Sequence, residues 1–150
     1  MRAAPRPGFD GSFIEDRRRE LAWLVIGGYR YHIEEEATAA IFAPAVRPME
    51  AVGLIDDIPS RGAIRAGSRL VRGHSLGPIH LFAVDVTENR LHTVVSYESF
   101  VQFGFSMEKV MIVPDGLLAD VEMGDEICSA LDRIRRRGHS MYLPLLEVLG

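Results

Sequence analysis

Residues 12–28 read SFIEDRRRELAWLVIGG, and the reading of this stretch decides the fold. Ser12 and Glu15 have capping-box spacing, in which the two side chains satisfy free backbone N–H groups at a helix start. Ile14, Leu21, Leu24 and Val25 recur at helical spacing, with Arg17, Arg18 and Arg19 mostly on the other side. The spacing predicts a helix that begins at Ser12 and weakens at Gly27-Gly28.

Upstream, residues 1–11 carry prolines and glycines with little apolar content and read as a flexible N-terminal arm, leaving 12–150 as one domain. Downstream, YRYHI (29–33) suits a short strand or a continuing helix. EEEATAAIFA (34–43) is a helix with an acidic first turn, ended by Pro44. A short helical piece is expected at 48–52, then mostly loop over 53–69, with 63–65 extended.

The pattern changes at residue 80. HLFAVDV (80–86) and LHTVVSY (91–97) are rich in β-branched and aromatic residues and flank TENR, as in a β-hairpin. Pairing Val86 with Leu91 puts Phe82, Val84 and Val86 on a core-facing side. It also sets Asp85 opposite His92 on the other side. ESFVQFGFS (98–106) is core-seeking. A further strand is expected near 108–113, and a C-terminal helix over 124–138 packs on the sheet with Ile127, Ala130, Leu131 and Ile134. The fold class expected is α+β: a helical N-terminal half, then an antiparallel sheet around the central hairpin. No internal repeat is visible; RGHS occurs at 72–75 and 137–140, but the flanks differ.

Composition bounds the function. A chain of 150 residues can bury roughly 70% of its unfolded surface, enough for one core. The formal net charge of −4 argues against nucleic acid as a partner. Arginine clusters at 17–19 and 133–137 read as solvated helix faces, the second complementing a helix C-terminus. Cys128 is the only cysteine, so an intramolecular disulfide is impossible and a reducing, cytoplasmic setting is expected. No apolar run approaches membrane-spanning length.

Residues 73–77, GHSLG, resemble the Gly-x-Ser-x-Gly nucleophile elbow of the lipase and esterase branch of the α/β-hydrolase family. The resemblance implies that Ser75 tops a strained strand-to-helix turn beside an oxyanion hole. Chain order then allows a triad of Ser75, Asp115 (or Asp120) and His139. The flanks depart from that family: GSRLVR is a poor buried strand, and Pro78 is followed by a strand pattern where a helix must start. No HGGG-type segment lies upstream. The physics of the stretch favours a glycine-hinged turn leading into the strand at residue 80.

Two other pairings carry chemistry. His92 with Asp85 makes a histidine–carboxylate pair suited to ligand binding or acid–base work. His32 with Glu35 or Glu36 could do the same, since i,i+4 residues share a helix face. No dense metal-ligand motif is present, and no metal or cofactor is expected. Cys128 has no motif placing a base beside it and reads as a core residue. The leading expectation is a non-catalytic domain that binds a ligand or partner protein in a regulatory or accessory role, with a homodimer as one form. The alternatives are a serine hydrolase using Ser75 and a metal-dependent or acid–base enzyme using His92/Asp85 or His32/Glu36.

Overall fold

The structure, a computed structural model, describes residues 4–50 and 52–136. It corrects the expected N-terminal half: residues 12–33 form no helix. They form three strands, β1 (Phe13–Asp16), β2 (Leu21–Ile26) and β3 (Tyr29–Ile33), joined as an antiparallel meander. Two turns explain the correction. Asp16 accepts a hydrogen bond from the Arg18 amide at 3.0 Å, and Glu20 adopts φ 55°, so RRRE is the loop between β1 and β2. Gly27 and Gly28 have φ 61° and 82° and connect the Ile26–Tyr29 pair. Two consecutive positive φ angles are what a tight two-residue hairpin turn needs. The pair that reads as helix weakening is a chain reversal.

The apolar run LAWLVI shows no period of two because β2 is covered on both faces. Leu24 and Ile26 enter the main core, while Val25 joins Ile14, Ile55 and Ile58 in a second cluster behind the sheet. Helix α1 (Glu35–Ile41) follows β3, burying Ala37 and Ile41. The chain then adds β4 (Met49–Glu50) parallel to β1, a short α2 (Val52–Ile55), and β5 (Ser60–Ile64) parallel to β3. The first sheet therefore runs β4-β1-β2-β3-β5.

The second sheet comprises β6 (Arg69–Gly73), β7 (Ile79–Ala83), β8 (Arg90–Thr93), β9 (Val110–Val113) and β10 (Glu122–Met123). Helices α3 (Tyr97–Gln102) and α4 (Asp115–Ala119) lie between β8 and β9 and between β9 and β10. β9 is parallel to β6 and β10 is parallel to β8, so the sheet is mixed, not antiparallel. The hairpin register also differs from expectation. Leu81 pairs with His92 and Ala83 with Arg90. The strands are shorter because Val84 leaves the ladder, donating its amide to Ser68 Oγ at 2.9 Å. The core-facing side is the reverse of the expected one, carrying Leu81, Ala83, His92 and Val94. Residues 130–136 form a further helix, α5.

The two sheets share one topology. Read from β9, the second sheet runs β9-β6-β7-β8-β10: a three-strand meander flanked by two parallel strands, with helices in the same connections as the first. Even the pairing after the third strand recurs, as Ile33 with Ile64 and Val94 with Ile127. Phe42 and Phe105, which follow α1 and α3, bridge each other in antiparallel fashion. Antiparallel pairing of equivalent positions is what an approximate two-fold axis between the halves produces. The chain is a structural repeat that its letters do not reveal.

One core joins the halves. Leu24, Ile26 and Ile33 from the first sheet pack with Leu70, Leu81 and Val94 from the second. Phe13 stacks on Phe42 within the first half at 4.7 Å, and Phe42 stacks on Phe105 across the junction at 5.8 Å between centroids. Phe100 and Phe103 complete the cluster, so ESFVQFGFS supplies core aromatics. Lys109 ties α1 to the second half, donating to the Ala39 and Phe42 carbonyls at 2.7 and 2.6 Å.

Candidate functional site

Ser75 sits in the turn between β6 and β7, and the chain leaves that turn into a strand, not a helix. Leu76 has φ 58°. Asp115, in the first turn of α4, lies beside it: the Ser75 hydroxyl donates to Asp115 Oδ1 at 3.1 Å and the Ser75 amide approaches the same oxygen at 3.4 Å. The serine and its expected acid thus meet directly, with no imidazole between them. His139 lies outside the described residues. Asp120 is the C-cap residue of α4.

Asp85 and His92 are not brought together. Asp85 is in the β7–β8 loop, where its Oδ2 accepts the Ala63 amide at 3.1 Å and so links the two halves. His92 is 1% exposed and points into the junction of the sheets. Its Nδ1 lies 2.7 Å from the Asp125 carbonyl, and a carbonyl can only accept, so Nδ1 carries the proton. Burial lowers the His92 pKa, keeping the ring neutral. The ring meets the edge of Tyr31, its counterpart in the first half.

Tyr31 and Asp125 were not legible as site residues. The Tyr31 hydroxyl donates to Asp125 Oδ2 at 2.6 Å, and Arg61 Nη1 contacts both carboxylate oxygens at 3.0 Å while stacking over Tyr29. Burial, reinforced by the neighbouring carboxylate, raises the Tyr31 pKa far beyond its ordinary value. This cluster borders a charged hollow of about 490 Å³ between Arg61, Arg90, Glu122 and Asp125. Each carboxylate oxygen of Asp125 has a partner, so the cluster reads as a fastening between halves. Nothing between Tyr31 and Asp125, 94 residues apart, signals their meeting.

His32 is on β3 and Glu36 on α1, so the pair shares no helix face. The His32 ring meets the edge of Trp23 at 5.5 Å. Among the described residues, no three His, Cys, Asp or Glu side chains converge as a metal site. Cys128 is buried and free.

A cleft of about 830 Å³ opens where β1 and β2 meet the start of α1. Phe13, Leu21, Ala22 and Ile33 give it apolar walls, and Glu15, Glu20, Glu34 and Glu35 line it with carboxylates, against the single cation Arg17 and the imidazole of His32. The equivalent place in the second half holds a smaller cleft of about 250 Å³. There Arg72, Ile79, Val94, Tyr97, Phe100 and Met107 replace the acids with apolar side chains and one cation. The repeated topology builds the same recess twice with different chemistry. Among the described residues, no helix is long and apolar enough to cross a membrane. No protein-family model matches the chain, and no curated protein matches it.

Proposed function

We propose that this chain is a non-catalytic binding domain with a regulatory or accessory role, and that the acidic cleft beside α1 receives a partner polypeptide. The observation that carries this is the cleft's composition: apolar walls with four glutamates among its lining residues. Such a surface is complementary to a segment that alternates apolar and basic residues. The expected acid–base residues support the same reading, because His92 and Asp85 are occupied by structural hydrogen bonds. The net charge of −4 favours a basic partner over nucleic acid. A cytoplasmic setting follows from the lone thiol, and a homodimer is one form the interaction could take.

The test uses the full chain and a synthetic peptide alternating lysine and leucine. Saturable binding is expected by fluorescence anisotropy of a labelled peptide. Replacing Glu15 and Glu35 together with lysine weakens it by roughly five- to tenfold, since exposed charge pairs contribute about 0.2–1 kcal/mol each and repulsion adds to their loss. Binding that is absent, or equal in the variant, overturns the reading.

One observation favours a second reading. The Ser75 hydroxyl donates to Asp115 Oδ1 at 3.1 Å, so serine and acid are neighbours as in an esterase, which further requires an imidazole between them as the base. Ser75→Ala against short-chain p-nitrophenyl esters separates the two: wild-type hydrolysis lost in the variant supports the esterase, and absence of wild-type hydrolysis removes it for these substrates.

A further inference from the structure

The outer face of the first sheet holds an arginine with no anionic partner. Arg30 on β3 forms no ion pair and no side-chain hydrogen bond among the described residues, and its Nε and Nη1 are buried without an acceptor. Its guanidinium stacks on the Trp23 ring at 4.4 Å. The indole Nε1 of Trp23 is buried without an acceptor as well. Three N–H-bearing nitrogens therefore cluster on one face, and His32 abuts the same indole.

The register explains the cluster. Trp23 pairs with Ile14 and with His32, while Arg30 pairs with Val25, so all these side chains project from one side of the sheet. That side also carries the apolar cluster of Ile14, Val25, Ile55 and Ile58. A stacked guanidinium is stabilised over its face, but its N–H groups lie in its plane and still require acceptors. Leaving buried donors unpaired is costly, and more so when one belongs to a cation. Other partly buried arginines among the described residues are matched: Arg72 by the Gly77 and Leu76 carbonyls, Arg90 by Glu88 and Arg133 by Asp10. Arg30, Trp23 and His32 are each half-buried, so their side chains reach the surface while the three nitrogens lie covered, beside an apolar wall that strengthens electrostatic contacts.

We propose that Arg30 and Trp23 form a binding site for a small oxyanion, a carboxylate or phosphate group, on the face of the first sheet opposite the shared core. Oxygens of such a group accept from the guanidinium edge and the indole N–H together, supplying the acceptors these donors lack. Arg30 and Trp23 do not line the acidic cleft, whose four glutamates give it the opposite charge preference, although His32 borders both.

Trp23 is the only tryptophan, so its emission reports on the site directly. Purified full-length protein is titrated with inorganic phosphate and, separately, with acetate, at constant ionic strength set by chloride. A saturable emission change is expected with at least one anion; the one that acts identifies the site as one for phosphate or carboxylate groups. Arg30→Met is expected to weaken the response at least tenfold, and Arg30→Lys to weaken it less. Should Arg30→Met not fold, NMR on the wild type decides: the anion must shift the Trp23 indole N–H and Arg30 Nε–H resonances more than those of other arginines. No saturable change with either anion, an unchanged curve in Arg30→Met, or shifts spread evenly over the arginines overturns the proposal.

Discussion

Tyr31 of the first sheet and His92 of the second meet edge to face with ring centroids 5.3 Å apart, and Asp125 holds both. Its carboxylate takes the tyrosine hydroxyl and Arg61, and its carbonyl takes the imidazole N–H. Tyr31→Phe removes one hydrogen bond but leaves Asp125 paired with Arg61. The expected cost is about 1–2 kcal/mol by urea denaturation. Asp125→Ala strands the buried hydroxyl and also removes the exposed Arg61 pair, and costs more, about 2–3 kcal/mol. The opposite order of costs would show that the cluster does not fasten the halves.

Gly124 follows β10 where the backbone passes His92. A Cβ at this position would lie 2.6 Å from the imidazole Cε1, a distance the packed junction cannot absorb without movement. Gly124→Ala should therefore cost about 1–3 kcal/mol. Trimming the obstacle tests the cause: in a His92→Ala background the same substitution should cost clearly less. A double-mutant cycle showing plain additivity would clear the ring of responsibility.

Asp10 precedes β1, is 6% exposed, accepts the Gly28 amide at 2.7 Å and pairs with Arg133 at 2.8 Å. Burial pushes its pKa up to about 6 from 3.8, although the Gly28 hydrogen bond and Arg133 pull it down. The folded state therefore binds the proton more tightly than the unfolded state. The associated stability is fully present below about pH 3.8 and is lost as pH rises through about 6. Denaturation curves from pH 4 to 8 should show this decline, and Asp10→Asn should flatten it. Arg133→Met should destabilise more at pH 8 than at pH 4, because the carboxylate it neutralises is charged at the higher pH. Equal losses at both would remove the pairing from the account.

The shared core makes the repeat a single cooperative unit. Trp23 reports on the first sheet, while far-ultraviolet circular dichroism reports on both. The two probes should give coincident urea transitions with one midpoint. Phe105→Ala, which removes a ring packed against Phe42 and Phe100, should shift both midpoints together at a cost of about 3–4 kcal/mol. Separate transitions would show that each half folds on its own.

Some of this was legible locally. Helix α1 announces itself by strong helix formers and an acidic first turn, and FVQFGF by three phenylalanines with nowhere to go but the core. The GHSLG flanks also carry their own answer: Pro78 and the β-rich residues after it lead into β7, and the stretch is a turn between strands. The N-terminal half misleads for a physical reason. A strand covered on both faces, such as LAWLVI, loses the alternation that marks a strand, and a capping-box spacing costs nothing to occur by chance. The better signal was Gly27-Gly28 between two apolar runs, a hairpin turn in letters.

By itself, then, the sequence determined local matters: where the chain reverses, where one helix forms and which rings seek the interior. Tertiary structure decided which strands pair, which face of the β7–β8 hairpin is buried, and that two dissimilar halves adopt one topology. β4 and β10 are two residues long and exist through hydrogen bonds to distant strands, so no local window contains them. The same holds for the sites. Tyr31 meets Asp125, Ser75 meets Asp115 and Arg30 meets no carboxylate among the described residues because of long-range register, and register is set by the packing of the whole chain.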